Sequence, residues 1–521
     1  MQPIDSVLIA GGGTAGWLTA AYLARVLGAG RPGGVQVTVV ESSELPPIGV
    51  GEGSFPSIKG TLATLGIPEA RFLREAQATF KQGVHFAHWV RPPGAPGAAH
   101  YMHPFSLPSQ RPGGPELLPY WLMGLAGEGV GFAEAATLQQ RVAAAGRAPK
   151  HAGDADYQGP LNYAYHFDAG RLAALLADHA RALGVQHRVA TIARVELDAH
   201  GAIAALHTQC GQTLRAGLYI DCTGFRAELI GQALQSPWKG LNDVLFVDRA
   251  LAVQVPDDAA PDAPLACATI ATAHEAGWTW DIALQQRRGV GYVYSSRHSS
   301  DADAEGVLRR YVGPAAEALA PRLLKLQVGY RPTMWVNNCV AVGLSAGFLE
   351  PLESSGIGLI ETAAYLLAHL FPFDGDTVYA ARHFNTLMRG RFERVIDFVK
   401  LHYAVSRRTD TAFWRDNTDP ASWPDTLREQ LAAWRCRPPH RLDFIADQEM
   451  YPTASWQFVL YGMEYSTDMT AAGAGHGRHE DARREFQMLR HVAQRAVADL
   501  PPHRALVEQL CGAAAGAQVA A

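Results

Sequence analysis

Val7-Leu8-Ile9-Ala10-Gly11-Gly12-Gly13-Thr14-Ala15-Gly16-Trp17 opens the chain with a short apolar run, a glycine-rich turn and the start of a helical pattern that continues to Val26. A second β-type run, Val35-Gln36-Val37-Thr38-Val39-Val40, ends in Glu41, 25 residues beyond Gly16. Together they make a βαβ unit of dinucleotide-binding size. Gly11, Gly13 and Gly16 let the backbone approach a pyrophosphate, and the helix start at Gly13, Thr14 and Ala15 turns N–H groups toward an anion. Glu41 can accept hydrogen bonds from a ribose diol.

Outward from this unit, the chain has 521 residues, room for two or three core-bearing modules, and the expectation is one compact body with interleaved segments. With 48% hydrophobic and 18% charged residues and a net charge of −5, the composition is that of a globular protein and offers no basic stripe for nucleic acid or an anionic membrane. The start lacks a charged leader and no apolar run reaches membrane-span length, so a cytoplasmic location is expected. Six cysteines at 210, 222, 267, 339, 436 and 511 show no CxxC or His/Cys clustering, which predicts free, mostly buried thiols and no metal site.

The βαβ unit permits NAD or FAD. FAD is favoured by the glycine-rich run Ile48-Gly49-Val50-Gly51-Glu52-Gly53 and by Asn338-Cys339-Val340-Ala341-Val342-Gly343, a late strand ending in glycine before Leu344. A following helix there brings a second dipole to the flavin. Leu218-Tyr219-Ile220-Asp221-Cys222-Thr223-Gly224 reads as a further strand of the nucleotide sheet, and Gly277 to Ser296 as a hairpin about Arg287-Arg288-Gly289. The predicted fold is α/β: a Rossmann-type, flavin monooxygenase-like body over residues 1–360. Substrate-binding segments at about 80–165 and 240–335 form an interleaved sheet, and 361–511 is mainly helical. Pro- and Gly-rich stretches at 91–99 and 108–115 read as surface loops over a pocket. The Ala/Gly-rich end, 512–521, reads as a frayed tail.

Only six of the 45 basic residues are lysines (59, 81, 150, 239, 325 and 400), and 45 − 6 = 39 are arginines. Lys81, between Phe80 and the apolar run Val84 to Trp89, is therefore a candidate for a task closed to arginine: an ammonium loses its proton when desolvated, whereas a guanidinium stays charged. The bland alternative is a lysine covering a helix end. Far downstream, Phe348-Leu349-Glu350-Pro351-Leu352-Glu353-Ser354-Ser355-Gly356-Ile357 offers two carboxylates and a turn into a helix. In Trp278-Thr279-Trp280-Asp281-Ile282 the two indoles share one strand face, either as core or as bulk beside a flavin where a hydroxylase would admit substrate.

Taken together, these segments resemble the flavin-dependent halogenases of the tryptophan halogenase family. The resemblance is carried by the GGGTAGW turn, IGVGEG with Pro56-Ser57-Ile58, Thr79-Phe80-Lys81, Ile220 to Phe225, Val247-Asp248-Arg249-Ala250, the WxWxI element, Gly291 to Ser296 and FLEPLESSGI. It runs from about residue 5 to about residue 465. One departure is Ala283, where the family's WxWxIP has proline. The resemblance implies that reduced FAD from a separate flavin reductase, O₂ and chloride or bromide yield hypohalous acid. It places the halide at Ser355 and Gly356, and Val50, Gly51, Glu52, Leu344 and Ile357 with the cofactor. Lys81 is implied to position or capture the hypohalous acid, and Glu353 rather than Glu350 to stabilise the cationic intermediate or remove its proton.

The family's ring-sandwich segment matches His103-Pro104-Phe105, and Ser354, Tyr451 and Trp456 join it as substrate-binding candidates. Members acting on free tryptophan carry a tyrosine pair and an acid in a C-terminal lid. That clamp is not visible between Phe444 and Tyr461, which favours indole, another electron-rich arene or a larger indole-bearing substrate over free tryptophan. A flavoprotein aromatic hydroxylase and a non-catalytic flavin-binding redox protein are the alternatives. Natural substrate, ring position, halide preference and oligomeric state, a homodimer included, stay open.

Overall fold

The computed structural model describes residues 3–43, 51–97, 99–256 and 264–519. Ser6–Ala10, the helix Thr14–Leu27 and Gln36–Glu41 form the expected βαβ unit, the two strands pairing in parallel from Ser6↔Gln36 to Ala10↔Val40. The sheet runs Trp335–Val336, Cys339–Ala341, Leu218–Asp221, Ser6–Ala10, Gln36–Glu41, Gln186–Val189. All pairs are parallel except the antiparallel edge at Trp335–Val336. Val7, Leu8, Ile9, Val37, Val39 and Val40 are buried, as befits strands covered on both faces.

A second sheet of seven strands is assembled from distant stretches of chain: Arg322–Lys325, Arg249–Pro256, Arg287–Tyr294, Gly277–Ala283, Thr269–Ala273, Gly83–Ala87 and His100–Pro104. The hairpin is present, but its turn is Leu284 to Gln286 and Arg287-Arg288-Gly289 opens the second strand; with Gly277 opposite Tyr294 and Ala283 opposite Arg288, replacing the family's proline by Ala283 leaves the register regular. A small antiparallel sheet of Gly51–Gly53, Ala164–Asp168 and Thr79–Lys81 joins the two bodies. Its geometry fixes the site: Lys81 ends one strand opposite Ala164, and Gly83 begins the next, in the seven-stranded sheet.

From Ser355 the chain is mainly helical, with Ser355–His369, the long Thr377–Ala404, Thr453–Gly462 and His479–Asp499. Two expectations need correction. Gly343–Ser345 is a short 3-10 turn, and the helix starts only at Ser355, because Phe348 to Ser354 is spent on a loop carrying both carboxylates. The end of the chain is helical from His503 to Val519 rather than frayed, in keeping with the high helix propensity of its alanines. Ala520 and Ala521 lie outside the described residues. All six cysteines are free, but only Cys267 and Cys339 are buried, and Cys210 and Cys436 are exposed. No described helix is long and apolar enough to cross a membrane, and no group of three or more described His, Cys, Asp or Glu residues could hold a metal ion.

Candidate active site

Lys81 is fully buried in a strand, which removes the helix-covering reading. Its Nζ donates to Ser354 Oγ at 2.7 Å and lies 5.4 Å from the Phe105 ring centre. Burial drives its pKa down to about 7, with the charge of Glu353 opposing the fall. Ser354 reaches the amine because its backbone is left-handed, φ 57°, a conformation unusual for a residue with a Cβ. It stands at the N-cap of the helix Ser355–His369 but makes no capping bond, its hydroxyl instead meeting Lys81.

Glu353 is buried beside this pair. Its Oε1 receives His103 Nδ1 at 2.9 Å and His402 Nε2 at 3.0 Å. Burial alone would raise its pKa, but His103, then His402, hold it down to about 2. His103 Nε2 lies 2.8 Å from Ser455 Oγ, and the Glu353 carbonyl accepts from the Tyr451 hydroxyl at 3.1 Å. The rival, Glu350, occupies a different environment. Its Oε2 receives Trp278 Nε1 at 2.7 Å and the Tyr403 hydroxyl at 2.6 Å, and its Oε1 is buried without a partner. Burial pushes its pKa up to about 7.

The two histidines come from unrelated parts of the chain. His103 closes the edge strand His100–Pro104, and His402 lies in the last turn of the helix Thr377–Ala404, next to Tyr403. One helix end thus grips both carboxylates, His402 on Glu353 and Tyr403 on Glu350. Sequence reasoning missed His402, Ser455 and Tyr403. No local spacing links Leu401-His402-Tyr403 to the motif 49 residues upstream.

The cofactor candidates fit a dinucleotide by shape. A Cβ on Gly11, whose φ is +109°, would lie 2.2 Å from the Cys222 carbonyl, and one on Gly12 would lie 1.6 Å from Glu41 Oε2. A Cβ on Gly16 would meet the Gly11 carbonyl at 1.9 Å. The turn thus admits only glycine at these points, and Glu41 leans across it with His187 Nε2 at 2.7 Å. Gly13 faces open space at a helix start with no side-chain cap, leaving first-turn N–H groups for an anion. Gly343 packs against Ala15, which brings the Leu344 turn to the same helix start as Thr14. Gly51 and Glu52 lie in the small sheet, where burial, then Asp168, pushes the Glu52 pKa up to about 7. Val50 lies outside the described residues.

Ser355, Gly356 and Ile357 form the first turn of the helix behind Ser354, with no acid in that turn and open space over Gly356. Trp278 packs on Trp89 at 6.2 Å as well as binding Glu350, and Trp280 lies over Gly291. The core reading therefore holds for Trp278. Tyr451 stacks on Phe398 at 4.2 Å, one wall beyond Glu353. Trp456 is fully buried among Phe398, Phe444 and Trp434, and its neighbour on the helix, Ser455, lies against His103.

Comparison with known proteins shows the family. The family described as tryptophan halogenase matches residues 6–476. The chain is 34% identical over 516 residues to tryptophan 6-halogenase SttH of Streptomyces toxytricini, covering 95% of this chain and 96% of that one. A crystal structure of a tryptophan halogenase from Shewanella frigidimarina superposes with a TM-score of 0.93 at 39% identity, covering 98% of each chain. BrvH, a flavin-dependent halogenase from Brevundimonas sp., superposes with a TM-score of 0.86 at 35% identity, covering 97% of this chain and 99% of that one. With its glycine turn, buried lysine and paired carboxylates placed as described, the chain belongs to the tryptophan halogenase family, a family of flavin-dependent enzymes.

Proposed function

We propose that the protein halogenates an electron-rich aromatic, an indole or indole derivative rather than free tryptophan, using hypohalous acid delivered to Lys81. The observation that supports this best is the Lys81 amine, fully buried and bonded to Ser354, one residue from the open helix turn at Ser355 and Gly356. Bound reduced FAD, supplied by a separate reductase, provides the two electrons that turn O₂ and halide into hypohalous acid and water. Gly11, Gly13, Thr14, Ala15, Gly16 and Glu41 would hold its dinucleotide, with Gly51, Glu52, Leu344 and Ile357 nearby. The N–H groups of Ser355 and Gly356 hold the halide at a helix start.

With a pKa near 7, Lys81 has both forms available at neutral pH: the ammonium donates to the oxygen of hypohalous acid, and the amine can be halogenated to a haloamine. Phe105 sits beside the amine, where a flat ring stacks against it. Glu353, kept ionised by His103 and His402, stabilises the cation formed as the ring takes up halogen and receives its proton. Mass spectrometry of an indole panel incubated with FAD, a flavin reductase, NADH and either chloride or bromide tests the reading. Hydroxylated product without halide would point to the hydroxylase alternative.

The preference over free tryptophan follows from unpaired charge. A zwitterion needs buried partners, and none is evident in the lid: the Tyr451 hydroxyl is bonded to the Glu353 carbonyl, and Asp443 pairs with Arg437. Glu449 lines a separate pocket of about 440 Å³ with Tyr22, Glu361 and Arg391. Indole is expected to show kcat/KM at least equal to that of L-tryptophan in side-by-side kinetics; a tenfold preference for tryptophan, about 1.4 kcal/mol, would reveal a clamp.

Glu350→Gln is expected to lower kcat by less than about fivefold. The amide oxygen can still accept from Trp278 and Tyr403, and a carboxyl whose pKa is near 7 is already half neutral at that pH. A larger loss than that of Glu353→Gln would exchange the roles of the two carboxylates.

A further inference from the structure

A pocket of about 540 Å³ is lined in part by residues adjacent in the chain to those of the site. Its inner side is built from neighbours of the catalytic residues. Leu107 is two residues past Phe105, Ala454 adjoins the Ser455 that binds His103, Pro452 adjoins Tyr451, and Phe132 packs in a tilted contact at 5.4 Å on Phe458, itself 6.3 Å from His103. Its outer side is polar and basic. Arg441 is exposed and forms no ion pair among the described residues, and the acid of its own turn, Asp443, is taken by Arg437 and by Trp434 Nε1 at 3.0 Å. Arg111 lies 3.4 Å from Glu485, and Glu116 is the one acid in the lining. Leu107 in the lining is 59% exposed, and Leu442, which follows Arg441 in the chain, is 79% exposed, apolar surface of the kind that marks a binding edge.

This space is in the range that takes drug-sized ligands and has more room than a bicyclic ring needs. We infer that it receives the arm of an extended indole substrate, a short peptide containing tryptophan and ending in a free carboxylate, with the carboxylate at Arg441 and the apolar side chains against Leu107 and Leu442. The inference rests on the reading of the chain as an arene halogenase. It places the recognition of charge at the pocket's outer edge instead of beside the ring, in agreement with the missing amino-acid clamp. Ser109, Gln110 and Thr453 in the same lining offer hydrogen bonds to peptide groups.

The test uses four substrates with the full-length protein, FAD and a flavin reductase: indole, L-tryptophan, N-acetyl-Trp-Ala-Leu with a free carboxylate, and the same tripeptide as its C-terminal amide. The acid is expected to exceed the amide in kcat/KM by about tenfold, through KM, and to exceed L-tryptophan. In Arg441→Glu the ratio of acid to indole falls about tenfold and the acid loses its advantage over the amide, as for a charge pair at a partly solvated edge. Equal kcat/KM for acid and amide in the parent protein, or an unchanged ratio in Arg441→Glu, would overturn the inference. No turnover of any of the four, indole included, would instead count against the halogenase reading itself.

Discussion

Lys81→Met is expected to abolish halogenated product while yielding a protein more stable than its parent. The first half follows from chemistry: methionine approximates the shape but has neither a proton to donate nor an amine to halogenate. Lys81→Arg is expected to fail as well, because a guanidinium cannot become a neutral nucleophile and its fork does not fit where one Nζ meets one hydroxyl. The second half follows from burial. The lysine's folded pKa, about 7, lies below its ordinary 10.5, so between these values the unfolded chain holds a proton that the folded one lacks. Stability therefore rises as pH climbs from 7 to 10.5, and below pH 7 the folded state carries the full cost of a buried ammonium. Methionine removes that cost, set against about 1 kcal/mol for the Ser354 hydroxyl that loses its donor. The gain in Tm should be larger at about pH 6 than at about pH 9. Product at a rate within tenfold of the parent, or a Tm below the parent's at the lower pH, would remove Lys81 from the role given to it.

Glu353→Gln is expected to cut kcat by about a hundredfold or more with little change in KM. The carboxylate sits between two imidazoles that both aim at Oε1, and they hold its pKa at about 2 against the upward push of burial. An amide in its place has one acceptor oxygen and no charge, so it neither stabilises a cationic ring nor takes its proton. Because the folded pKa is below the ordinary 4.5, this carboxylate's contribution to stability is present above pH 4.5 and is lost as pH falls through 2. The substitution should accordingly flatten acid unfolding in that window as well as lowering turnover. Retention of more than a tenth of parental kcat, measured with single-turnover and steady-state assays, would show that the charge of Glu353 is not used in the reaction.

Much of the fold was legible from short stretches. The turn from Gly11 to Gly16 carries its own steric argument, since side chains at Gly11, Gly12 and Gly16 would collide with Cys222, Glu41 and Gly11, and strand patterns on both sides fix a parallel pair. The two strands of the hairpin between Gly277 and Tyr294 and the strand Leu218–Asp221 were readable because the period of a strand is local, although the turn itself fell at Leu284 to Gln286 and not at Arg287 to Gly289. Lys81 and Glu353 stood out as residue types, the first because lysine is rare in this chain, the second only through the family pattern of the motif that contains it.

What the sequence determined by itself was the nucleotide unit and the interleaving of segments; it singled out Lys81 as a candidate and left Glu350 and Glu353 as rival carboxylates. Tertiary structure alone decided which carboxylate is ionised and which groups surround it. Glu350 and Glu353 are three residues apart and chemically identical, yet one is pushed up to about 7 and the other held down to about 2. Burial pushes both acids up; His103 and His402 overcome it at Glu353, whereas the neutral donors Tyr403 and Trp278 draw Glu350 only part of the way back, and all four lie between 49 and 250 positions from the acids they bind. A pKa depends on desolvation and on charges within a few ångströms, and both are properties of the packed chain that no local spacing encodes.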